Sequence, residues 1–211
     1  MKHVITGLVF PMAVLASCSR NPDLTAAPVT TPPAGVSAEI QKAAVQRGKA
    51  IVAETFSLLS SNLQSAIQQS GVSNALPFCS LAASPLTAGM ASKHRVSIRR
   101  VTHKPRNPAG RADATELAVL KRFETAIAGT KLPSPLVIKL TANTVTFFDP
   151  IVLNNELCLK CHGEPGADIS AENTAVIQRL YPRDEATGFK LGDLRGAWRI
   201  DFPLAALAAG P

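Results

Sequence analysis

Cys158 and Cys161 are separated by two residues, and His162 follows at once in the run Cys158-Leu159-Lys160-Cys161-His162. Two thiols at this spacing can add to the two vinyl groups of one porphyrin, while the adjoining imidazole offers a nitrogen to its iron. Attachment and first axial ligand then come from one short segment. Without the histidine, the same Cys-x-x-Cys would equally suit a redox dithiol or half of a zinc site. His162 is what favours a single, covalently held haem c.

The chain holds four cysteines, Cys18, Cys79, Cys158 and Cys161. Lys2 and His3 precede an apolar run over residues 4–15 that is too short to span a bilayer and reads as an export signal. Its end, Leu15-Ala16-Ser17-Cys18, resembles the lipobox of bacterial lipoproteins. That resemblance implies cleavage before Cys18, lipidation of Cys18, and a protein anchored on the periplasmic side of a membrane; Ser19 points to the outer membrane. The alternative is an ordinary signal peptide and a free Cys18. One cysteine for lipid and two for haem leave Cys79 unpaired in an oxidising compartment, as a reactive group, a metal ligand or a small buried hydrophobe.

In this 211-residue chain of formal charge +7, no run of Lys and Arg exceeds a pair, which argues against nucleic acid as a partner. A mildly basic surface suits anionic head groups or an acidic redox or signalling protein.

The elements that must position the motif follow from periodicity. Residues 18–38 hold Pro22, Pro28, Pro32 and Pro33 with little bulky apolar surface and read as a tether after a signal over residues 1–17. From Glu39, residues Val52, Phe56, Leu59, Leu63 and Ile67 recur at helical steps and predict one buried face, with Gly71 as the stop. A second, shorter helix around residues 75–91 carries Cys79 toward the interior and breaks near Ser84-Pro85. Alternation predicts a strand over residues 96–101, a hairpin of residues 136–140 and 144–148 closed by Asp149-Pro150, and a last strand over 197–202. Asp113 stands as an N-cap before Leu117, Leu120 and Phe123, and a short helix ends at Tyr181-Pro182. The expected fold is an α+β domain over residues 39–204 built on one antiparallel sheet, with a tail over 205–211.

With these segments in view, the chain resembles a bacterial family of c-type haem domains with a PAS-like fold, the Tll-like haem domains. The resemblance is carried by Cys79, by the run from Arg99 through Arg106-Asn107-Pro108, by Cys158 to Gly163, by Tyr181-Pro182-Arg183-Asp184-Glu185-Ala186-Thr187-Gly188-Phe189, and by Gly192-Asp193-Leu194-Arg195-Gly196-Ala197-Trp198. It implies a PAS-like antiparallel sheet with flanking helices and a long N-terminal helix. It further implies haem on Cys158 and Cys161, with His162 on one face of the iron and a cysteine, here Cys79, on the other.

From the residues alone, Met90, His94 and His103 remain as other sixth donors. Met90 equally reads as core filler, and the two histidines as solvent-facing groups. A thiolate opposite His162 would poise the iron low. Arg100, Lys104 and Arg106 read either as partners of the haem propionates or as a solvated basic loop, and Arg195 carries the same two readings. Phe147, Phe148 and Trp198 read as core. The function expected is redox or small-ligand sensing, with plain electron transfer as the alternative. A peroxidase is a weaker alternative, since it needs an open iron and an aligned acid or base.

Overall fold

The structure, a computed structural model, describes Met1 and residues 35–208, the side chains of Phe78 and Cys79 excepted. Cys18, the export signal and nearly all of the tether lie outside the described residues. The chain divides into two units, Met1–Thr31 and Pro32–Pro211, and every element named below lies in the second.

Helix α1 (Ala38–His94) is capped by Ser37, whose hydroxyl accepts from Ile40 N. Strand β1 (Ser97–Val101), helix α2 (Ala114–Ala128), the hairpin β2 (Leu136–Thr141) and β3 (Thr144–Val152), helices α3 (Glu156–His162) and α4 (Ala171–Leu180), strand β4 (Leu194–Pro203) and helix α5 (Leu204–Ala208) follow. The four strands form an antiparallel sheet in the order β1-β4-β3-β2. An antiparallel sheet with flanking helices and a long N-terminal helix is the PAS-like arrangement expected.

Period-two alternation sends neighbouring side chains to opposite faces. Phe147, Trp198, Ile200 and Phe202 pack under α1 and α5, while Phe148, Val101 and Ala197 pack under Val119, Leu120 and Phe123 of α2. The segment after Phe202, read as a tail, is helical through Ala208. Leu207 is buried there, and Arg47 Nη1 donates to Ala206 O at 2.6 Å.

Four expectations are corrected. Phe56 is 59% exposed; the buried stripe of α1 is Ala44, Ile51 and Thr55. Small residues govern this contact: a Cβ on Gly48 would lie 2.4 Å from Phe147 Cδ1, so the helix approaches the sheet only because that atom is missing. Helix α1 breaks at Gly71 (φ 77°, ψ 172°), as the stop there predicts, but its second arm runs through Pro85 to His94 without a break at that residue. Pro85 costs one hydrogen bond, to the carbonyl of Leu81, an exposed residue at which water can replace the lost donor. The arms fold back on one another, since Lys93 and His94 both pair with Glu54.

The hairpin does not close at Asp149-Pro150, because β3 continues to Val152 and pairs Pro150 with Ala197. Strand β2 accompanies β3 only as far as Phe148, so Pro150, with no N–H to donate, faces an open edge. In α2, Asp113 and Glu116 form the full capping box, but Leu117 is exposed and Glu116, Val119, Leu120 and Phe123 make the buried face.

Candidate functional site

Register places the ends of β1 and β3 and the start of β4 at one end of the sheet, with Val101 opposite Ala197 and Val152 opposite Leu194. Helix α3 begins just beyond, where Asn155 Oδ1 accepts from Leu157 N at 2.8 Å. It is wedged between two apolar clusters. Cys158 and Leu159 pack against Leu153, Ala186 and Phe189; Cys161 packs against Leu76, Ile169, Val176 and Ile177. Both cysteines are half-buried.

His162 closes the helix. Its Nδ1 lies 2.8 Å from Ala186 O, which fixes the proton on Nδ1 in the neutral ring. Desolvation first, then the charges of Arg195 and Arg106, hold its pKa well below the ordinary histidine value. The ring is therefore neutral at pH 7, with the lone pair of Nε2 available to a metal.

The segment from Asp184 to Phe189 wraps the end of the motif. Phe189 N donates to His162 O at 2.9 Å and Gly188 N to Gly163 O at 2.8 Å. Arg106 ties the wrap down: Nε and Nη2 reach the Asp184 carboxylate at 3.2 and 3.0 Å, and Nη2 also donates to Cys161 O at 2.6 Å and to Ala186 O at 3.3 Å. A solvated basic loop is thus the wrong reading for Arg106, whose side chain is 13% exposed.

Phe189 collects further groups. Lys104 Nζ lies 4.5 Å and Arg195 Cζ 5.3 Å from its centroid, and the rings of His162 and His103 are each 6.4 Å away. Lys104 donates to Thr187 O, and Arg195 Nη1 to Thr102 Oγ1 and Lys104 O. Arg195 Nε is buried with no hydrogen-bond partner among the described residues, and burial together with Arg106 and Arg100 brings its pKa down to about 10. Arg100 lies over Trp198 at 5.6 Å.

Of the other candidate donors, Met90 and His94 are engaged elsewhere, while His103 shares the Phe189 ring with His162. Met90 is buried in the cluster between α1 and the sheet, and His94 Nε2 is 2.8 Å from Glu54 Oε2. His103 Nδ1 is 3.6 Å from Glu124 Oε1, an ion-pair distance beyond hydrogen-bond reach. Phe147, Phe148 and Trp198 are plain core. The backbone of Cys79 belongs to the second arm of α1, three positions after Leu76, the residue that packs with Cys161; its side chain lies outside the described residues.

The same arm is fastened to the motif by Ser73 Oγ donating to Asn173 Oδ1 at 2.7 Å and Asn173 Nδ2 donating to Lys160 O at 3.4 Å. Sequence reasoning missed Asn173, Asp184, Phe189 and the Ala186 carbonyl. Only the quoted Tyr181-to-Phe189 run pointed to three of them. Among the described residues no three His, Cys, Asp or Glu side chains gather to hold a metal ion by themselves, and no helix is long and apolar enough to cross a membrane.

The family model described as Tll0287-like matches residues 37–203. The solved structure described as that of the cyanobacterial heme-protein Tll0287 shares 24% sequence identity and superposes with a TM-score of 0.53, covering 75% of this chain and 94% of that one. At that identity the likeness is one of fold. Among curated proteins nothing matches.

Proposed function

The chain belongs to the Tll0287-like family, and from that premise we propose that it is an exported c-type haem protein. Cys158 and Cys161 would carry one haem through thioether bonds, His162 Nε2 would ligate its iron, and Cys79 would supply the opposite ligand. The observation that carries this reading is the hydrogen bond from His162 Nδ1 to Ala186 O, which leaves Nε2 the lone pair that iron needs. Two half-buried cysteines on the same short helix, and Arg195 Nε, which is buried without a hydrogen-bond partner among the described residues beside further guanidinium groups and suits a propionate, fit the same group. The similar solved structure is itself described as a heme-protein.

Haem supplies one-electron chemistry and reversible binding of small diatomic ligands. We read the role as redox or small-ligand sensing at low potential, with Cys18 as lipid anchor on the periplasmic side and a separate protein receiving the signal. In support, position 79 belongs to an arm of α1 joined to the first arm at the Gly71 break and fastened to the motif through Ser73 and Leu76. A change in the axial bond would act on that arm. Plain electron transfer is the second reading, favoured by the exposure of Leu157 beside Cys158, an apolar contact of the kind a docking partner covers.

Mass spectrometry of the mature protein, with visible spectra of the oxidised, reduced and carbon monoxide-treated forms, tests the reading. Covalent haem and a lipidated Cys18 are expected, and displacement of one axial ligand by carbon monoxide would favour sensing. Free thiols at Cys158 and Cys161 after maturation alongside haem-attachment machinery would overturn it.

A further inference from the structure

His162 and Arg106 come from distant parts of the chain and meet on one atom. The carbonyl oxygen of Ala186 accepts from His162 Nδ1 at 2.8 Å and from Arg106 Nη2 at 3.3 Å. Ala186 is fully buried, and its own N–H donates to Asp184 Oδ1 at 2.9 Å. Asp184 in turn holds the guanidinium at two points, and the guanidinium also donates to Cys161 O. The peptide that orients the imidazole is therefore itself held by a buried ion pair.

The chemistry of this arrangement is directional. A carbonyl that accepts fully from Nδ1–H draws the proton away from the ring and makes Nε2 a stronger donor. A cation on the same oxygen withdraws electron density from it and weakens that pull. A stronger Nε2 donor stabilises ferric iron, as does the loss of a nearby positive charge, so both effects of Arg106 point toward a higher potential. Asp184 opposes them by neutralising the cation.

We propose that Arg106 is a positioning residue for His162, acting through the Ala186 carbonyl to set how strongly Nε2 donates to the iron, with Asp184 as its counterweight. The inference rests on the haem reading above. Arg106 Nε and Nη2 are committed to Asp184, Cys161 and Ala186, so this role does not depend on any contact that Nη1 makes.

The test is the midpoint potential of the haem-loaded full chain in four forms: wild type, Arg106→Gln, Arg106→Lys and Asp184→Asn, each checked for covalent haem by mass spectrometry. Arg106→Gln should shift the potential down. Arg106→Lys should shift it down by less, since the charge stays but the Nη2 contact with Ala186 O is lost. Asp184→Asn should shift it up. A purely structural role would lower the thermal midpoint of each variant without moving the potentials in opposite directions. If Arg106→Gln fails to fold, the opposite signs expected of Arg106→Lys and Asp184→Asn still decide. Potentials that stay put or all move the same way in haem-bearing protein overturn this inference alone. A wild-type chain without covalent haem overturns the haem reading and this one with it.

Discussion

His162 and Ala186, 24 residues apart, are joined by a 2.8 Å hydrogen bond from the imidazole Nδ1 to a buried carbonyl. One ring nitrogen is thereby committed to the protein and the other left for a ligand.

On the proposed reading Cys79 would ligate the iron opposite His162, and Cys79→Ser tests it. Loss of a thiolate donor should change the ferric electron paramagnetic resonance spectrum and raise the midpoint potential. An unchanged spectrum would rule out that ligation while leaving attachment at Cys158 and Cys161 intact.

Glu116 is 1% exposed; one oxygen accepts from Arg199 Nη1 at 2.7 Å and the other from Asp113 N at 2.8 Å. Glu116→Ala removes the side-chain half of the capping box and leaves Arg199 with Asp201 as its close carboxylate partner. Urea unfolding should show a loss of about 1–3 kcal/mol, the usual cost of leaving buried hydrogen-bonding groups without one partner. Glu116→Gln, which keeps the shape, should lose less.

Gly48 and Gly89 both lie in α1, yet alanine should act on them with opposite signs. At Gly48 the added Cβ meets the Phe147 ring at 2.4 Å, and the overpacking should cost about 1–3 kcal/mol. At Gly89 nothing lies within 4 Å, and alanine should add about 0.5–1 kcal/mol through backbone entropy alone. Thermal unfolding of the two variants side by side checks both signs.

Asp149 has its pKa raised above 3.8 by burial, against a smaller opposing effect of Lys49. At lower pH the carboxyl is protonated in both folded and unfolded chains and contributes nothing. As pH rises the unfolded chain ionises first, so stability falls between 3.8 and the higher folded value and stays reduced above it. Asp149→Asn should therefore raise the melting temperature near neutral pH and leave it unchanged well below 3.8. An equal effect at both ends of the range would exclude titration as the cause.

Much of the fold was legible wherever local pattern and tertiary burial agree. The alternation in Trp198, Ile200 and Phe202 reports a face of β4 because every second residue of a strand points the same way. Asp113 announces α2 because capping is settled within one turn. The reading failed where packing outweighed pattern. Phe56 fits the helical period but is exposed, since the sheet is met by Ala44 and the bare backbone of Gly48. Pro150 looks like a strand end but lies within β3, because an edge position makes no use of its missing N–H.

By itself the sequence determined which groups stand at Cys158, Cys161 and His162, two sulfur atoms and an imidazole, since the identity and spacing of side chains are covalent facts. Tertiary structure alone decided what those side chains meet. The partner of His162 is a backbone carbonyl, a group that every residue possesses and no motif advertises. Only the wrap of residues 184–189, held by Arg106 from the loop after β1, brings it within hydrogen-bond distance.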